Sequence, residues 1–209
     1  MTDDPIARIA DLEEQLRLAH DLVDQLRHDC VSGLIGRRTF EELLSASFGQ
    51  AERAKFAGDE TYIGVIIIDT DNFKRVNDDC GHRVGDDVIA AVAGAIKSCT
   101  RSTDHAARWG GDEFACLVGQ ADIMGLALLS ERIRGTVENL THPGVAFPVT
   151  VSVGFAIQSD DDTNPKDIVE RADHALFSAK ESGRNRVGHS VLGPEELQMI
   201  EIIDCLRDK

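Results

Sequence analysis

Apolar residues in the central part of the chain recur at helical spacing in some segments and form short continuous runs in others. The helical spacing predicts helices at residues 38–56, 85–100, 121–140 and 166–182. The short apolar runs predict strands at residues 62–69, 149–157 and 186–189, and a hairpin around residue 110. This order of elements predicts an α+β domain over residues 31–190, in which helices flank a central, mostly antiparallel sheet.

A heptad pattern precedes this domain, in residues 1–30. Its apolar seam consists of Ile9, Leu12, Leu16, Ala19, Val23, Leu26 and Cys30. Charged residues occupy most of the positions between them, and few further apolar positions widen the stripe. Such a seam favours a dimerising coiled-coil stalk, although a helix packed on its own domain would show similar spacing.

The last segment, residues 191–209, starts near a Gly-Pro break. Its apolar residues are spaced three apart, at Leu197, Ile200, Ile203 and Leu206. This spacing predicts a short amphipathic helix as a C-terminal tail.

Composition excludes several classes of protein. The 209 residues are 42% apolar, which is enough for a full core, and the net charge of −15 with no basic stripe argues against a nucleic-acid polymer as partner. No signal peptide is recognised, and no apolar run approaches the roughly 20 residues of a membrane span. The five cysteines form no CxxC pair, which is typical of reduced core thiols in a cytoplasmic protein.

Two adjacent acids, Asp112 and Glu113, follow Gly110 and Gly111 in the stretch RWGGDEF. Paired glycines are typical of a tight turn, because glycine adopts positive φ without steric cost. The apolar residues on either side then predict a β-hairpin with the acids at its tip. Solvated acids at a hairpin tip need no function, so a functional interpretation depends on partners elsewhere in the chain.

Another carboxylate, Asp69, ends the apolar strand predicted at residues 62–69, and Asp71 follows it. Active sites of open sheets commonly lie at such strand ends. If the hairpin brings Asp112 and Glu113 close to Asp69, the three acids repel one another unless divalent cations neutralise them. Oxygen ligands favour Mg²⁺, and two such ions suit phosphoryl or nucleotidyl transfer. For Asp71 the alternative is an N-cap of a helix beginning nearby.

Further polar residues suit guanine and phosphate. Asn77 and Asp86 offer donors and acceptors, and a carboxylate pairs with the N1–H and 2-amino donors of guanine, which adenine lacks. Lys180 and Arg184 suit triphosphate oxygens. A charged helix C-terminus would place the same two cations there without any ligand.

Taken in this order, residues 29–188 resemble the GGDEF-domain diguanylate cyclases. The matching segments are LRHDCVSGLIGRRTF, IIIDTDNFKRVNDDCGHRVGDDVI, RWGGDEF, VTVSVGFA and ADHALFSAKESGRNRV. The chain departs from the family pattern at Ser32, Gly36 and Cys80, which bear on regulation or stability more than on chemistry. The resemblance implies a palm-like fold of the nucleotide-cyclase type, with a ferredoxin-like central sheet.

The resemblance also implies a role for each matching residue. Asp69, Asp112 and the carbonyl of Thr70 would hold Mg²⁺, two ions per active site, with Mn²⁺ as an alternative. Asp112, Glu113 or both would assist loss of the 3′-hydroxyl proton. The guanine site would consist of the side chains of Asn77, His82 and Asp86. Phosphate would be bound by the backbone amides of Asn72, Phe73 and Lys74 and by the cations Lys180 and Arg184. The hairpin glycines Gly110 and Gly111 would complete the GTP-binding set.

The implied reaction condenses two GTP into the signalling nucleotide cyclic di-GMP and two pyrophosphates. Each domain would hold one GTP, so the enzyme would act as a homodimer of facing domains. A domain that binds nucleotide without turnover, a purely structural dimerisation domain, and a cyclase that also accepts ATP are the alternatives.

The stretch RSTD, at residues 101–104, is similar to the inhibitory product site of the family. Arg101 would donate to a phosphate or a guanine edge of cyclic di-GMP, and Asp104 would accept from guanine. The alternative is a helix that ends at Arg101 and a strand that starts at Asp104, with no ligand.

Overall fold

The computed structural model describes residues 8, 9, 12, 14–17, 27–59 and 61–189. Residues 8, 9, 12 and 14–17 are helical, as the heptad pattern predicts. The remaining heptad positions up to residue 26, and the tail predicted at residues 191–209, lie outside the described residues. The stalk and the tail therefore stay predictions.

A six-stranded sheet forms the centre of the domain, in the order β1-β3-β4-β2-β5-β6. The strands are β1 (Ile35–Gly36), β2 (Gly64–Thr70), β3 (His105–Arg108), β4 (Glu113–Val118), β5 (Val151–Ile157) and β6 (Val187–His189). β2 pairs antiparallel with both β4 and β5, and β3 pairs antiparallel with β4, whereas the edge pairs β1–β3 and β5–β6 are parallel. The prediction of an α+β fold with a mostly antiparallel sheet is confirmed.

Helices cover both faces of this sheet. They are α1 (Arg37–Phe56), α2 (Phe73–Cys80), α3 (His82–Cys99), α4 (Ile123–Glu138) and α5 (Pro165–Glu181). The prediction placed the start of the third helix at residue 85, but it begins directly after Gly81. Gly81 has φ 85°, a conformation that glycine adopts without strain, and it separates α2 from α3.

The apolar core consists of two clusters, one on each face of the sheet. Side chains alternate along β2, so Ile66 and Ile68 belong to the cluster under α3 and α4, whereas Val65 and Ile67 belong to the cluster under α1 and α5. All four are at most 2% exposed, and the burial of each contributes about 1.5–3 kcal/mol. Burial on both faces explains why this strand is a continuous apolar run rather than an alternating one.

Helix α5 lies very close to β5 and β6. A Cβ at Gly154 would clash with the backbone of Leu176 and Ala172, and one at Gly188 would clash with the carbonyl of Ala175. These glycines therefore let the middle of α5 pack directly on β5 and β6.

Two predictions from the sequence concern the burial of the cysteines and the presence of a membrane-spanning helix. The prediction of core thiols is correct for Cys99 and Cys116, which are buried, but wrong for Cys30, which is exposed. Among the described residues, no helix has the length and apolar character needed to cross a bilayer.

Candidate functional site

The strand β2 and the β3–β4 hairpin bring the predicted acids together. Asp69 is the direct cross-strand partner of Glu113. The backbone N–H and the Oγ1 hydroxyl of Thr70 donate to the carbonyl of Asp112, at 3.1 and 3.2 Å. The acids of RWGGDEF therefore have the partner in β2 that the functional interpretation required.

The carboxylate of Asp69 lies near one positive and two negative side chains. Its side chain is 14% exposed, and Lys180 Nζ lies 2.8 Å from its Oδ2. Burial raises the pKa of Asp69 above its ordinary value, the Lys180 ammonium opposes this, and the negative charges of Asp112 and Glu113 raise the pKa further. A half-buried carboxylate with two acidic neighbours and one ammonium is a setting that favours an additional cation.

The donor set is small for a metal site. Across the described ranges, no group of three or more His, Cys, Asp or Glu side chains is arranged to hold a metal ion. The predicted ligands are two carboxylates, Asp69 and Asp112, and the carbonyl oxygen of Thr70. Mg²⁺ typically takes one or two carboxylates and completes its octahedral shell with water and substrate phosphates, so the residues present fit this ion when a nucleotide shares it.

A cavity of about 420 Å³ opens beside these acids. It is lined by Phe73, Lys74, Asn77, His82, Asp86, Arg108, Gly111 and Asp112. Its volume lies within the usual range for small-ligand sites. The structure therefore gathers the three predicted guanine-site side chains, two of the predicted phosphate-site residues and one metal-site acid around one opening.

Gly85 positions one of these side chains. It is buried in α3, and a Cβ there would clash with Asn77 Oδ1 and lie 3.3 Å from the ring of Phe73. The absence of a side chain at this position leaves room for α2 and for the Asn77 side chain beside the cavity. Gly85 was not predicted to belong to the site, although a glycine inside a helical pattern often marks such an approach.

Arg108 was also missed as a site residue. Its guanidinium donates to the carbonyls of Gly110 and Gly111, with the shortest bond 2.6 Å from Nη2 to Gly111, and Nη1 donates to Asp29 Oδ1 at 2.9 Å. Arg108 thus ties the glycine turn to the segment that leads into the domain. Burial raises the pKa of Asp29, but donation from the Ser32 amide and Arg108 outweighs it, so the net pKa is lowered.

The structure corrects the argument from positive φ for the two glycines of the hairpin. Neither Gly110 nor Gly111 has positive φ. A Cβ at Gly110 would lie 2.6 Å from Glu113 Oε2, a contact that a shift of this flexible side chain would relieve. The hairpin itself is confirmed, but the reason given for its glycines was wrong.

The predicted phosphate-binding groups lie at two helix ends. Asn72 precedes α2 in the left-handed conformation, φ 55°, and no side chain caps this helix, whose first residues are Phe73 and Lys74. Lys180 lies in the last turn of α5, and the exposed Arg184 follows the helix in a loop. Arg184 does not line the cavity, unlike Phe73 and Lys74.

Asp71 is not an N-cap, which corrects that alternative. It is 7% exposed and accepts hydrogen bonds from Ser152 Oγ at 2.7 Å, Thr150 Oγ1 at 2.7 Å and the backbone N–H of Asn185 at 3.0 Å. The residue at the cap position is Asn72, whose side chain makes no capping bond. Long-range partners, and not the adjacent helix, satisfy this carboxylate.

The RSTD stretch forms part of a second cavity, of about 290 Å³. Its lining comprises His28, Gly33, Leu34, Ile35, Lys97, Thr100, Arg101, Ser102, Asp104, His105 and Ala106. The backbone N–H of Arg101 donates to Asp104 Oδ2 at 2.9 Å, which closes a turn between α3 and β3. Asp104 Oδ1 is buried with no hydrogen-bond partner among the residues that the structure describes, and the Arg101 side chain is exposed. The turn exists as the alternative predicts, but it leaves an acceptor and a cation beside a cavity.

The chain is similar in sequence to known proteins of one family. The sequence pattern of the family described as "Diguanylate cyclase, GGDEF domain" matches residues 26–186. The chain is 36% identical over 179 residues to diguanylate cyclase DgcM of Escherichia coli strain K12, covering 86% of this chain and 42% of that protein. It is 43% identical over 127 residues to diguanylate cyclase A of Treponema denticola, covering 60% and 34%. The chain thus spans less than half the length of these relatives.

A solved structure has a similar fold. It is the crystal structure of the coiled coil and GGDEF domain of DgcB from Caulobacter crescentus in complex with c-di-GMP. The TM-score is 0.77 at 32% sequence identity, over 88% of this chain and 98% of that one.

Proposed function

The chain belongs to the diguanylate cyclase GGDEF-domain family, and from that premise we propose that it condenses two GTP molecules into cyclic di-GMP and two pyrophosphates. One observation carries the proposal. The acids Asp69, Asp112 and Glu113 meet at the β2 end, beside a cavity that also gathers Asn77, His82 and Asp86. Acids beside a cavity that falls in the small-ligand range and carries these polar groups suit nucleotidyl transfer on GTP.

Base selection would come from the α2–α3 side of the cavity. Asp86 accepts from two adjacent donors, N1–H and the 2-amino group, which guanine has and adenine lacks. Asn77, whose side chain packs closely against Gly85, adds a donor and an acceptor. A base without the matching donors would leave Asp86 unpaired, so ATP would be a poor substrate.

The triphosphate would lie between the two helix ends. The uncapped amides that begin α2 attract phosphate oxygens, and Lys180 and Arg184 provide opposing charge. Asp69, Asp112 and the Thr70 carbonyl would hold Mg²⁺, or Mn²⁺ as an alternative, two ions per site, which supply neutralisation of the phosphate charge.

In the reaction, the 3′-oxygen of one GTP forms a bond to the α-phosphorus of the other, and the bond to the β-phosphate bridging oxygen breaks. Pyrophosphate leaves with that electron pair. Asp112 or Glu113 receives the 3′-hydroxyl proton. The hydrogen bonds of Arg108 to the glycine carbonyls hold the hairpin that carries both acids.

Two such transfers require two domains, so we infer a homodimer. The seam residues Ile9, Leu12 and Leu16 are 57%, 58% and 66% exposed in the single chain, which supports a stalk that pairs with a second copy. The DgcB structure, which includes a coiled coil, supports the same arrangement.

The second cavity supports product inhibition. Within the described part of the chain, Asp104 Oδ1 is a buried acceptor without a partner, and Arg101 lies beside it, so a guanine edge and a phosphate of cyclic di-GMP would satisfy both. GTP as substrate, together with the net charge of −15, also supports a cytoplasmic location and no nucleic-acid polymer as partner.

Product analysis after incubation with GTP and Mg²⁺ tests this function. Formation of cyclic di-GMP supports it. Tight GTP binding without product would favour a receptor domain, and mixed products from GTP and ATP would favour the less selective cyclase.

A further inference from the structure

The buried carboxylate of Asp71 connects three segments of the chain. Its Oδ1 accepts from Ser152 Oγ, and its Oδ2 accepts from Thr150 Oγ1 and from the backbone N–H of Asn185. The backbone N–H of Asp71 also donates to the carbonyl of Thr150, at 2.9 Å. Hydrogen bonds to an ionised acceptor are the stronger kind, so Asp71 holds the loop around Asn185 firmly against β5 and the β2 end.

Asn185 is held from its other side by helix α4. Its Oδ1 accepts from Arg134 Nη1 at 2.8 Å, and its Nδ2 donates to Glu138 Oε1 at 2.7 Å. Arg134 is 4% exposed, and its position is fixed by Nε and Nη2, which both donate to the carboxylate of Glu131. Asn185 therefore joins α4 through its side chain to Asp71 through its backbone.

The loop held in this way has an unusual backbone. Gly183, Arg184 and Asn185 have φ values of 117°, 64° and 47°, three consecutive residues with positive φ. Arginine rarely adopts this conformation, which persists only where the surroundings determine it. The hydrogen bonds of Asn185, the next residue after Arg184, hold the loop in this conformation.

We propose that Asn185 is a positioning residue for the triphosphate, and that it acts together with Asp71 by fixing Arg184 relative to the N-terminus of α2. The hydrogen bond between Asn185 and Asp71 connects the two phosphate-binding elements. Asp71 directly precedes Asn72 at the start of α2, and Asn185 directly follows Arg184. The inference rests on the proposed binding of GTP, and it assigns a role to residues outside the cavity that GTP would occupy.

The test compares binding of α,β-methylene-GTP, in which the bond that breaks is blocked, by calorimetry with Mg²⁺. The variants of the full chain are Asn185→Gly, Arg184→Gln and the double variant. Glycine keeps the positive φ but removes both side-chain bonds to α4. Each single change is expected to weaken binding about tenfold, as loss of a hydrogen bond to a charged group does. The double variant should bind like Arg184→Gln within about twofold, because Asn185 acts through Arg184.

Gln120→Gly is the matched control, since Gln120 is another non-glycine residue with positive φ, 48°, in the turn before α4. It should bind the analogue like wild type. A merely structural role of Asn185 would give additive losses, and unchanged binding by Asn185→Gly would also overturn the inference. If wild type itself fails to bind the analogue, the proposed function is wrong instead. If Asn185→Gly does not unfold cooperatively, Asn185→Asp replaces it with the same outcomes, because it keeps the acceptor for Arg134 but removes the donor to Glu138 and sets two carboxylates against each other.

Discussion

Lys180 Nζ lies 2.8 Å from Asp69 Oδ2, so the cation predicted to bind phosphate is paired with the carboxylate predicted to bind metal. The pair connects the last turn of α5, one of the two helix ends between which the triphosphate would lie, to the end of β2. Each partner would exchange this contact for a stronger one when the nucleotide and its metal bind, because both bring opposite charge to the site.

Removing the charge of a metal-site carboxylate is the first prediction. Asp69→Asn or Asp112→Asn should lower turnover of GTP at least about 10²-fold, the usual size of electrostatic effects in such sites. The fold should survive, since both side chains lie at the sheet end and outside the apolar clusters. Steady-state kinetics at saturating Mg²⁺ measure the effect, with Asp160→Asn as a control at an exposed acid remote from the cavity. Activity within a few-fold of wild type in either variant would remove that residue from the site.

Asp29 gives a prediction that depends on pH. Its lowered pKa means that the folded state favours the ionised form, so this carboxylate stabilises the fold above its ordinary pKa and loses the effect as pH falls through the lowered value. Asp29→Asn should cost about 1–3 kcal/mol at neutral pH, and the cost should shrink below about pH 4. Urea unfolding at several pH values measures it. The exposed Asp161→Asn should show neither effect, and a cost for Asp29→Asn that is independent of pH would contradict the assignment.

Sequence periodicity predicted most of the fold because the helices and the central strand β2 are long and strongly patterned. It missed β1, whose two residues, Ile35 and Gly36, are too short to show a period. The hairpin was predicted from its glycines, but neither Gly110 nor Gly111 has the positive φ on which that prediction relied, and periodicity does not reveal backbone angles.

Two of the misjudged site residues, Asp71 and Arg108, have partners that lie far along the chain. Asp71 was compared with an N-cap because the helix follows it directly, yet its partners are 79, 81 and 114 positions away. Arg108 contacts Asp29 across 79 positions. Acids and amides with local signals were recognised, whereas groups that depend on tertiary contacts were not.

The stalk gives a prediction about concentration. Replacing Leu16 and Val23 with glutamate should disrupt the heptad seam and weaken dimerisation. Specific activity of the variant should fall at low protein concentration and recover as concentration rises, because two domains must meet for each product. Activity assays over a dilution series, with sedimentation to determine mass, test this. A specific activity that does not change with dilution in a monomeric variant would exclude the role of the stalk.

The second cavity gives a prediction about regulation. Arg101→Ala combined with Asp104→Ala should remove tight binding of cyclic di-GMP, measured by calorimetry, and relieve product inhibition. Initial GTP turnover should stay largely intact, because neither residue lines the catalytic cavity. Coupling between such sites typically amounts to about 1–3 kcal/mol, so inhibition should change by roughly 5- to 150-fold. Equal product binding by the double variant and wild type would reduce RSTD to a turn between α3 and β3.

The most direct test of the central claim is identification of the product formed from GTP by the full chain. Purified protein with GTP and Mg²⁺ should give cyclic di-GMP and pyrophosphate in a ratio of one to two, as determined by chromatography and mass spectrometry. ATP in place of GTP should give little product, and Asp112→Asn should give almost none from GTP. Folded, dimeric wild-type protein that binds GTP but forms no cyclic di-GMP would contradict the account.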